Sequence, residues 1–197
     1  MSDTKLTEQD YIDVSKQYDI EVAAIKAVVK VETGGRGGFF APGKPAILFE
    51  GHIFWKQLKK HGIEPETVAN TMNQDILYST ASRSHYAGGM KEYNRLERAE
   101  KINKEAALES ASWGLFQIMG FHWKSLGYNS VEEFVDFMSK DEKNQLLVFC
   151  KFITVNHLDK YLRTKNWAAF AKGYNGPGYK TYSYDTKLAN YYKQYSK

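Results

Sequence analysis

The sequence predicts a mainly α-helical domain with at most a small β-hairpin or sheet. Three observations carry that expectation. Apolar residues recur at helical spacing in segment after segment, most opened by a capping residue. A strand-like run is confined to one short stretch, Ala46–Glu50. The 197 residues, 43% hydrophobic and 25% charged, suit one sizeable domain with its own core and not a disordered chain.

Taken in order, Thr7 reads as the N-cap of a first helix reaching Gln17, with Glu8, Gln9 and Asp10 in its first turn and Tyr11, Ile12 and Val14 on its apolar face. Asp19 is expected to cap the second helix. That helix runs from Glu21 through Ala23, Ala24, Ile25, Ala27, Val28 and Val29 to Val31. Lys26 and Lys30 are four apart and share one solvent stripe. Glu32 lies two residues past Lys30. At about 100° per residue it falls on the opposite face, with Ile25, Val28 and Val29. Gly34, Gly35, Gly37 and Gly38 then stop the helix. A carboxylate is thus placed on the buried side of a helix C-terminus, beside a glycine-rich opening. Apolar surroundings and the negative end of the helix dipole both disfavour its ionisation. A carboxyl still protonated near neutral pH is what a general acid requires. Two plainer readings stand beside this one: Glu32 reaches solvent from the last turn, or pairs as a buried carboxylate with Arg36.

Phe39–Pro45 reads as an extended, turn-rich loop. Ala46–Glu50 is a short buried strand, Gly51-His52 breaks it, and His52–Leu58 resumes helical spacing. Residues 62–89 are irregular, and the polar Ser79–Gly89 segment suits a surface loop over a groove. Met90–Ile102 is a charged helix whose Glu92, Arg95, Glu97, Arg98, Glu100 and Lys101 read as a solvated face. Asn103 caps Lys104–Ser110. Ser130 caps Val131–Met138, a further helix spans Asp141–Asn156, Asn166 caps Trp167–Lys172, and a last helix covers Asp185–Tyr195. No repeat or linker interrupts the chain, so residues 1–197 are expected to form a single domain.

Several function classes are set aside. No run of about 18 apolar residues exists, so neither a transmembrane helix nor stable membrane insertion is expected. Met1–Lys5 lacks a basic start and an apolar core, so no secretory leader is expected. The single cysteine, Cys150, lies in the apolar run Leu147–Phe152 and reads as a buried thiol in a protein kept in a reducing cytoplasm. His52, His85, His122 and His157 have no ligand-like spacing, so no metal site is expected. The glycine cluster follows a helix and lacks a Gly-Lys-Ser/Thr ending, which argues against a phosphate loop. No cofactor is expected. The net charge of +4 is mild and fits an anionic polymer; nucleic acid is not an expected partner. Aromatic residues reach 15%, with 14 Tyr and 4 Trp. Aromatic faces suit sugar rings as well as cores. Trp55 and Trp167 are expected in the core, while Trp113, beside Gly114, is either core or the edge of a cleft.

Three segments in order carry a resemblance. Glu32-Thr33 at a helix end, then Trp113-Gly114-Leu115-Phe116-Gln117-Ile118-Met119, then Ala171-Lys172-Gly173-Tyr174-Asn175-Gly176 resemble the lysozyme superfamily. More narrowly they are similar to goose-type lysozymes and soluble lytic transglycosylases. The longer segments Val31–Phe39, Ile47–His52 and Ser112–Gly114 look like the N-acetylmuramidase family of phage endolysins. The resemblance covers most of the chain. It implies a lysozyme-like helical domain with a cleft. It also implies a peptidoglycan substrate, cut at the β-1,4 bond between N-acetylmuramic acid and N-acetylglucosamine, for bacterial cell lysis. Family members often carry an additional peptidoglycan-binding domain, which is not expected here.

Residue by residue, Glu32 matches the family's general acid. Gln117, Tyr174 and Asn175 match positions that line the saccharide cleft, and Trp113 is a further candidate there. Hydrolysis normally calls on a second carboxylate, about 5 Å away in a retaining enzyme or about 6.5–9.5 Å away in an inverting one. Glu50 and Glu109 are the candidates. Glu109 precedes the Gly-Leu-Phe-Gln segment, where goose-type enzymes carry a water-positioning acid; its plain reading is a helix-surface residue. Glu50 ends the strand; its plain reading is a carboxylate bound to backbone amides near Gly34 and Gly35. Without either, Glu32 would serve as acid and base, and attack by the muramyl 6-hydroxyl would give the 1,6-anhydro ends of a lytic transglycosylase. A third reading is an inactive lysozyme-like glycan-binding or structural phage protein, but such a protein would be expected to lose Glu32, Gln117 or Tyr174-Asn175. The resemblance further implies a monomer made in the host cytoplasm and released to the wall through holin-type lesions.

Overall fold

Thr7 opens the first helix with a reciprocal cap: its hydroxyl accepts from the Asp10 N–H, and the Asp10 carboxylate accepts from the Thr7 N–H at 2.9 Å. The computed structural model describes residues 5–197; Met1–Thr4, where the sequence was read for a leader, lie outside the described residues. In chain order the elements are α1 (Glu8–Tyr18), α2 (Val22–Thr33), β1 (Phe39–Ala41), β2 (Lys44–Pro45), β3 (Ile47–Phe49), α3 (Gly51–Lys60) and α4 (Pro65–Val68). There follow α5 (Lys91–Glu100), α6 (Lys104–Glu109), β4 (Ala111–Trp113), β5 (Ile118–Met119), α7 (Val131–Met138) and α8 (Glu142–Val155). The last are α9 (Asp159–Arg163), α10 (Trp167–Asn175) and α11 (Tyr184–Tyr195), with 3₁₀ turns at Gly120–His122 and Pro177–Tyr182. The fold is mainly helical, as expected. The described chain divides into two compact units, one comprising residues 5–37 together with Asp141–Lys197, the other Gly38–Lys140.

In the first unit α2 packs against α11 and α1, α1 against α8, and α10 against α11 and α9. Ala24, Ile25, Ala27 and Val28 form the buried face of α2, and Val14, Phe149, Cys150, Ile153, Phe170 and Leu188 complete the core. Each fully buried Val, Leu, Ile or Phe contributes roughly 1.5–3 kcal/mol. Cys150 is buried as expected, and burial pushes its thiol pKa up. Asp19 does not cap α2. It adopts the left-handed conformation (φ 52°, ψ 47°) and closes α1, its N–H bonding to the Ser15 carbonyl. That conformation suits a short polar residue, and it leaves α2 to begin after Glu21 with no side-chain cap. At its other end α2 stops on Gly34 (φ 58°), whose N–H bonds to the Lys30 carbonyl.

The second unit holds both small sheets. β3, β4 and β5 form an antiparallel sheet in which Ile47 faces Trp113, Phe49 faces Ala111, and Trp113 faces Ile118. Phe39–Pro45 is not a loop: β1 and β2 pair across Pro42-Gly43, with Gly43 at φ 67° supplying the turn. The expected caps Asn103 and Ser130 hold, accepting from the N–H groups of Ala106 and Glu133, and Asp141, read as the first residue of its helix, is the N-cap of α8 and accepts from the Asn144 N–H. The solvated reading of the α5 charges fails at two positions. Glu92 is 0% exposed and Arg95 3% exposed, because α5 lies against β3 and turns both side chains under it.

Candidate active site

Glu32 stands in the last turn of α2, half-buried, where the helix surrenders to Gly34. The side chain that contacts it comes from the end of α10. Asn175 is the last residue of that helix, which ends because Gly176-Pro177-Gly178 follows, with Gly176 at φ 79°. The Asn175 amide donates to both Glu32 oxygens, each at 3.4 Å, a long contact. The Asn175 Oδ1 is buried without a hydrogen-bond partner. Among the described residues no cationic side chain pairs with Glu32. Arg36 turns away, its Nε donating to the Thr33 carbonyl at 3.1 Å, so the Glu32–Arg36 pair does not form. Burial raises the Glu32 carboxyl to a pKa of about 7, and the Asn175 amide only partly opposes it.

Two tyrosines complete this set. Tyr174 stacks on Phe170 (centroids 5.7 Å, planes 9° apart) and meets Phe149 edge-on at 5.5 Å. Burial holds its phenol proton well above the ordinary value, and the charge on Glu32 adds to the effect. Tyr184, at the start of α11, is also shifted up by burial and then by Glu32, while Arg36 pulls it down. The sequence reading missed Tyr184. It carries no motif, and only its nearness to Glu32 marks it. Glu32, Tyr174 and Asn175 are thus brought together within one unit.

The other four site candidates belong to the second unit, each with its own set of partners. Gln117 sits at φ 51° in the β4–β5 turn; its amide donates to the carbonyls of Ala46 (3.1 Å) and Gly114 (2.9 Å) and accepts from the Ser112 hydroxyl (2.8 Å). It braces the turn. Trp113 is 1% exposed and its indole donates to the Leu108 carbonyl at 3.1 Å. It is a core residue of the sheet and presents no face to a sugar, because both strand neighbours and α6 cover it.

Glu109 closes α6 and is buried, not a helix-surface residue. Its Oε1 accepts from the Trp123 indole at 2.8 Å, and its Oε2 lies 2.9 Å from His61 Nε2. Glu50 precedes α3. Both its oxygens accept from the Tyr86 hydroxyl, at 2.9 and 2.8 Å, in place of the backbone amides the plain reading assigned. His52 Nδ1 lies 3.4 Å from Glu50 Oε2 but in a direction that makes no hydrogen bond. Tyr86, His61 and Trp123 were missed because each lies in a turn, at a helix end or in an irregular segment with no periodic signal. A polar cavity of about 300 Å³ in the first unit, lined by Ser15, Asp19, Ile20, Glu21, Arg163 and Lys165, offers no open cation: Lys165 pairs with Glu21 and Arg163 with Asp159.

A family model described as N-acetylmuramidase matches residues 21–196. Among solved structures, the chain is similar to the Burkholderia AP3 phage endolysin, at 40% identity and a TM-score of 0.91, over 100% of this chain and 73% of that one. No curated protein sequence matches.

Proposed function

The chain belongs to the N-acetylmuramidase family of glycoside hydrolases, with a lysozyme-like fold and peptidoglycan as substrate, and on that footing we propose that it is a phage-type endolysin whose general acid is Glu32. The bond cut is the β-1,4 link from N-acetylmuramic acid to N-acetylglucosamine. One observation carries the assignment of Glu32: a half-buried carboxyl, with no cationic partner among the described residues and a pKa raised to about 7, is still about half protonated at neutral pH, where an ordinary glutamate is ionised. In this reading Glu32 gives that proton to the glycosidic oxygen as the C1–O bond breaks. Water adds its hydroxyl at C1 and releases a proton to a second carboxylate. Asn175 and Tyr174 fix Glu32 and contact the sugar beside it.

Glu50 is the better second carboxylate. One phenol proton shared by its two oxygens leaves lone pairs open, whereas both Glu109 oxygens are engaged by the Trp123 and His61 rings. Gln117 supports the turn it sits in and reaches substrate through that turn. The family match from residue 21 to 196 runs through both compact units, which supports a single catalytic domain. The enzyme acts as a monomer, and release from the host cytoplasm depends on a separate membrane-disrupting protein. No helix among the described residues is long and apolar enough to cross a membrane.

Mass spectrometry of muropeptides released from purified peptidoglycan tests the reaction. Reducing muramic acid ends are expected. Anhydro ends would instead make the protein a transglycosylase, and intact glycan would end the catalytic reading.

A further inference from the structure

We infer that Glu92 is the positioning residue of the Glu50–Tyr86 pair, one buried carboxylate that fixes both the strand end carrying Glu50 and the turn carrying Tyr86. The inference deepens the proposed function and rests on its reading of Glu50.

Glu92 meets four donors. Its Oε2 accepts from the Phe49 N–H at 3.1 Å and from Arg95 Nη1 at 2.7 Å. Its Oε1 accepts from the N–H groups of Ala87 at 2.6 Å and Gly88 at 2.9 Å. Arg95 Nη1 also donates to the Phe49 carbonyl at 2.9 Å. The ion pair therefore grips both sides of residue 49, immediately before Glu50. The same carboxylate grips the two amides immediately after Tyr86. Each end of the Tyr86–Glu50 hydrogen bond is thus one residue from a group held by Glu92.

The rest of the loop is tied to the same anchor. Arg95 Nε and Nη2 donate to the Asp75 carbonyl at 3.2 and 2.6 Å. Arg98 binds the Asp75 carboxylate through two contacts of 2.8 Å. Asp75 leads into Ile76 and Tyr78, which close over Gly51. The Gly51 N–H donates to the Tyr78 hydroxyl at 3.2 Å, and a Cβ on Gly51 would lie 2.3 Å from the Tyr78 ring and 2.7 Å from the Ile76 carbonyl. Residue 49 is fixed by the Glu92–Arg95 pair on α5, and residues 50 and 51 by Tyr86 and Tyr78 of the irregular 75–88 segment that the same pair ties down. A buried ion pair adds little net stability compared with an apolar pair of the same shape. What this pair supplies is placement: a side chain left about 1 Å out of position can cost a hundredfold in rate.

The test uses the whole protein and four variants, Glu92→Gln, Tyr86→Phe, the double variant, and Glu50→Gln, assayed for kcat and KM on purified peptidoglycan. Glu92→Gln and Tyr86→Phe are each expected to lower kcat on the order of tenfold to a hundredfold with KM nearly unchanged. The double variant is expected to be no slower than the slower single one, because both act through Glu50. Losses that multiply, or a kcat unchanged in correctly folded Glu92→Gln, would overturn the inference. A second readout does not depend on activity: the ¹³Cζ resonance of Tyr86 should move in Glu92→Gln as it does in Glu50→Gln. A resonance unmoved in Glu92→Gln would defeat the inference. Wild-type lysis by Glu50→Gln would defeat the role of Glu50 instead, leaving the Tyr86 resonance to decide the placement. If Glu92→Gln does not fold, Arg95→Lys carries the same comparisons.

Discussion

Glu32 and Glu92 are glutamates on helices in different compact units, and their surroundings are opposite. Glu32 occupies the last turn of α2, where the helix dipole opposes a negative charge; Glu92 occupies the first turn of α5, where the dipole favours one. Among the described residues Glu32 has one amide at 3.4 Å and no cation. Glu92 has three backbone N–H groups and a guanidinium, all within 3.1 Å. The first arrangement holds a proton near neutral pH. The second holds a loop. The same side chain is suited to serve as an acid or as an anchor according to which end of a helix it stands on and how many donors reach it.

Removing the acid should have the largest effect. Glu32→Gln is expected to lower the rate of peptidoglycan cleavage by about 10²- to 10⁴-fold, measured by turbidity loss of purified walls. The same substitution should stabilise the fold at pH 8. The Glu32 pKa is raised in the folded state from 4.5 to about 7. The stability linked to its neutral form is therefore complete below about pH 4.5 and is lost as pH rises through about 7. Glutamine carries no such charge. Urea unfolding should show a gain of up to about 3 kcal/mol at pH 8 and almost none at pH 4.5. A variant equally destabilised at both values would contradict the buried, neutral acid.

Removing the anchor tests the other side. Glu92→Ala leaves Arg95 buried without its partner, and a loss of about 3–5 kcal/mol in unfolding free energy is expected. A surface glutamate on a solvated helix face would cost almost nothing, so a small loss here would restore the reading that the sequence alone suggests.

That reading shows where the sequence is legible. The face of α2 that carries Glu32 can be placed from the helix alone, because helical period, two lysines and a glycine stop are all local, whereas the lack of an Arg36 pair cannot. Ser130 and Asn103 are legible for the same reason: a cap acts over three residues. Glu92 and Arg95 look like any i,i+3 surface pair. Their burial is decided by the Phe49 peptide, 43 and 46 residues away, which no periodicity reports. The burial of Glu109 and the choice between core and cleft edge for Trp113 are hidden in the same way. Each is recognisable as part of a segment, yet its partners come from elsewhere: His61 lies 48 residues before Glu109, and Ile47 faces Trp113 across the sheet.

Glu109 then provides an intermediate case. It is a carboxylate with two ring donors and no guanidinium. Glu109→Gln keeps the shape but cannot accept from both the Trp123 indole and a ring N–H of His61 through two oxygens. A loss of about 1–2 kcal/mol is expected in urea unfolding, with wall lysis retained. If lysis instead falls as steeply as in Glu32→Gln, Glu109 is the water-side carboxylate and Glu50 is not.

The smallest effect probes the one donor that Glu32 does have. The Asn175 amide favours the ionised carboxylate and so holds its pKa below the value burial alone would set. Asn175→Leu keeps the volume, removes the donor and lets no extra water in. The Glu32 pKa should therefore rise further, and the pH window in which folding loses stability should move up with it. At 3.4 Å the contact is near the limit of a hydrogen bond, so a rise of less than about one pH unit is expected. Titration of the Glu32 carboxyl carbon by NMR reads it without relying on catalysis, which Asn175→Leu would also impair if the side chain touches sugar. A pKa that falls in this variant would mean that Asn175 keeps water away from Glu32 more than it donates to it, and that the dryness of the site comes from α10 and not from α2.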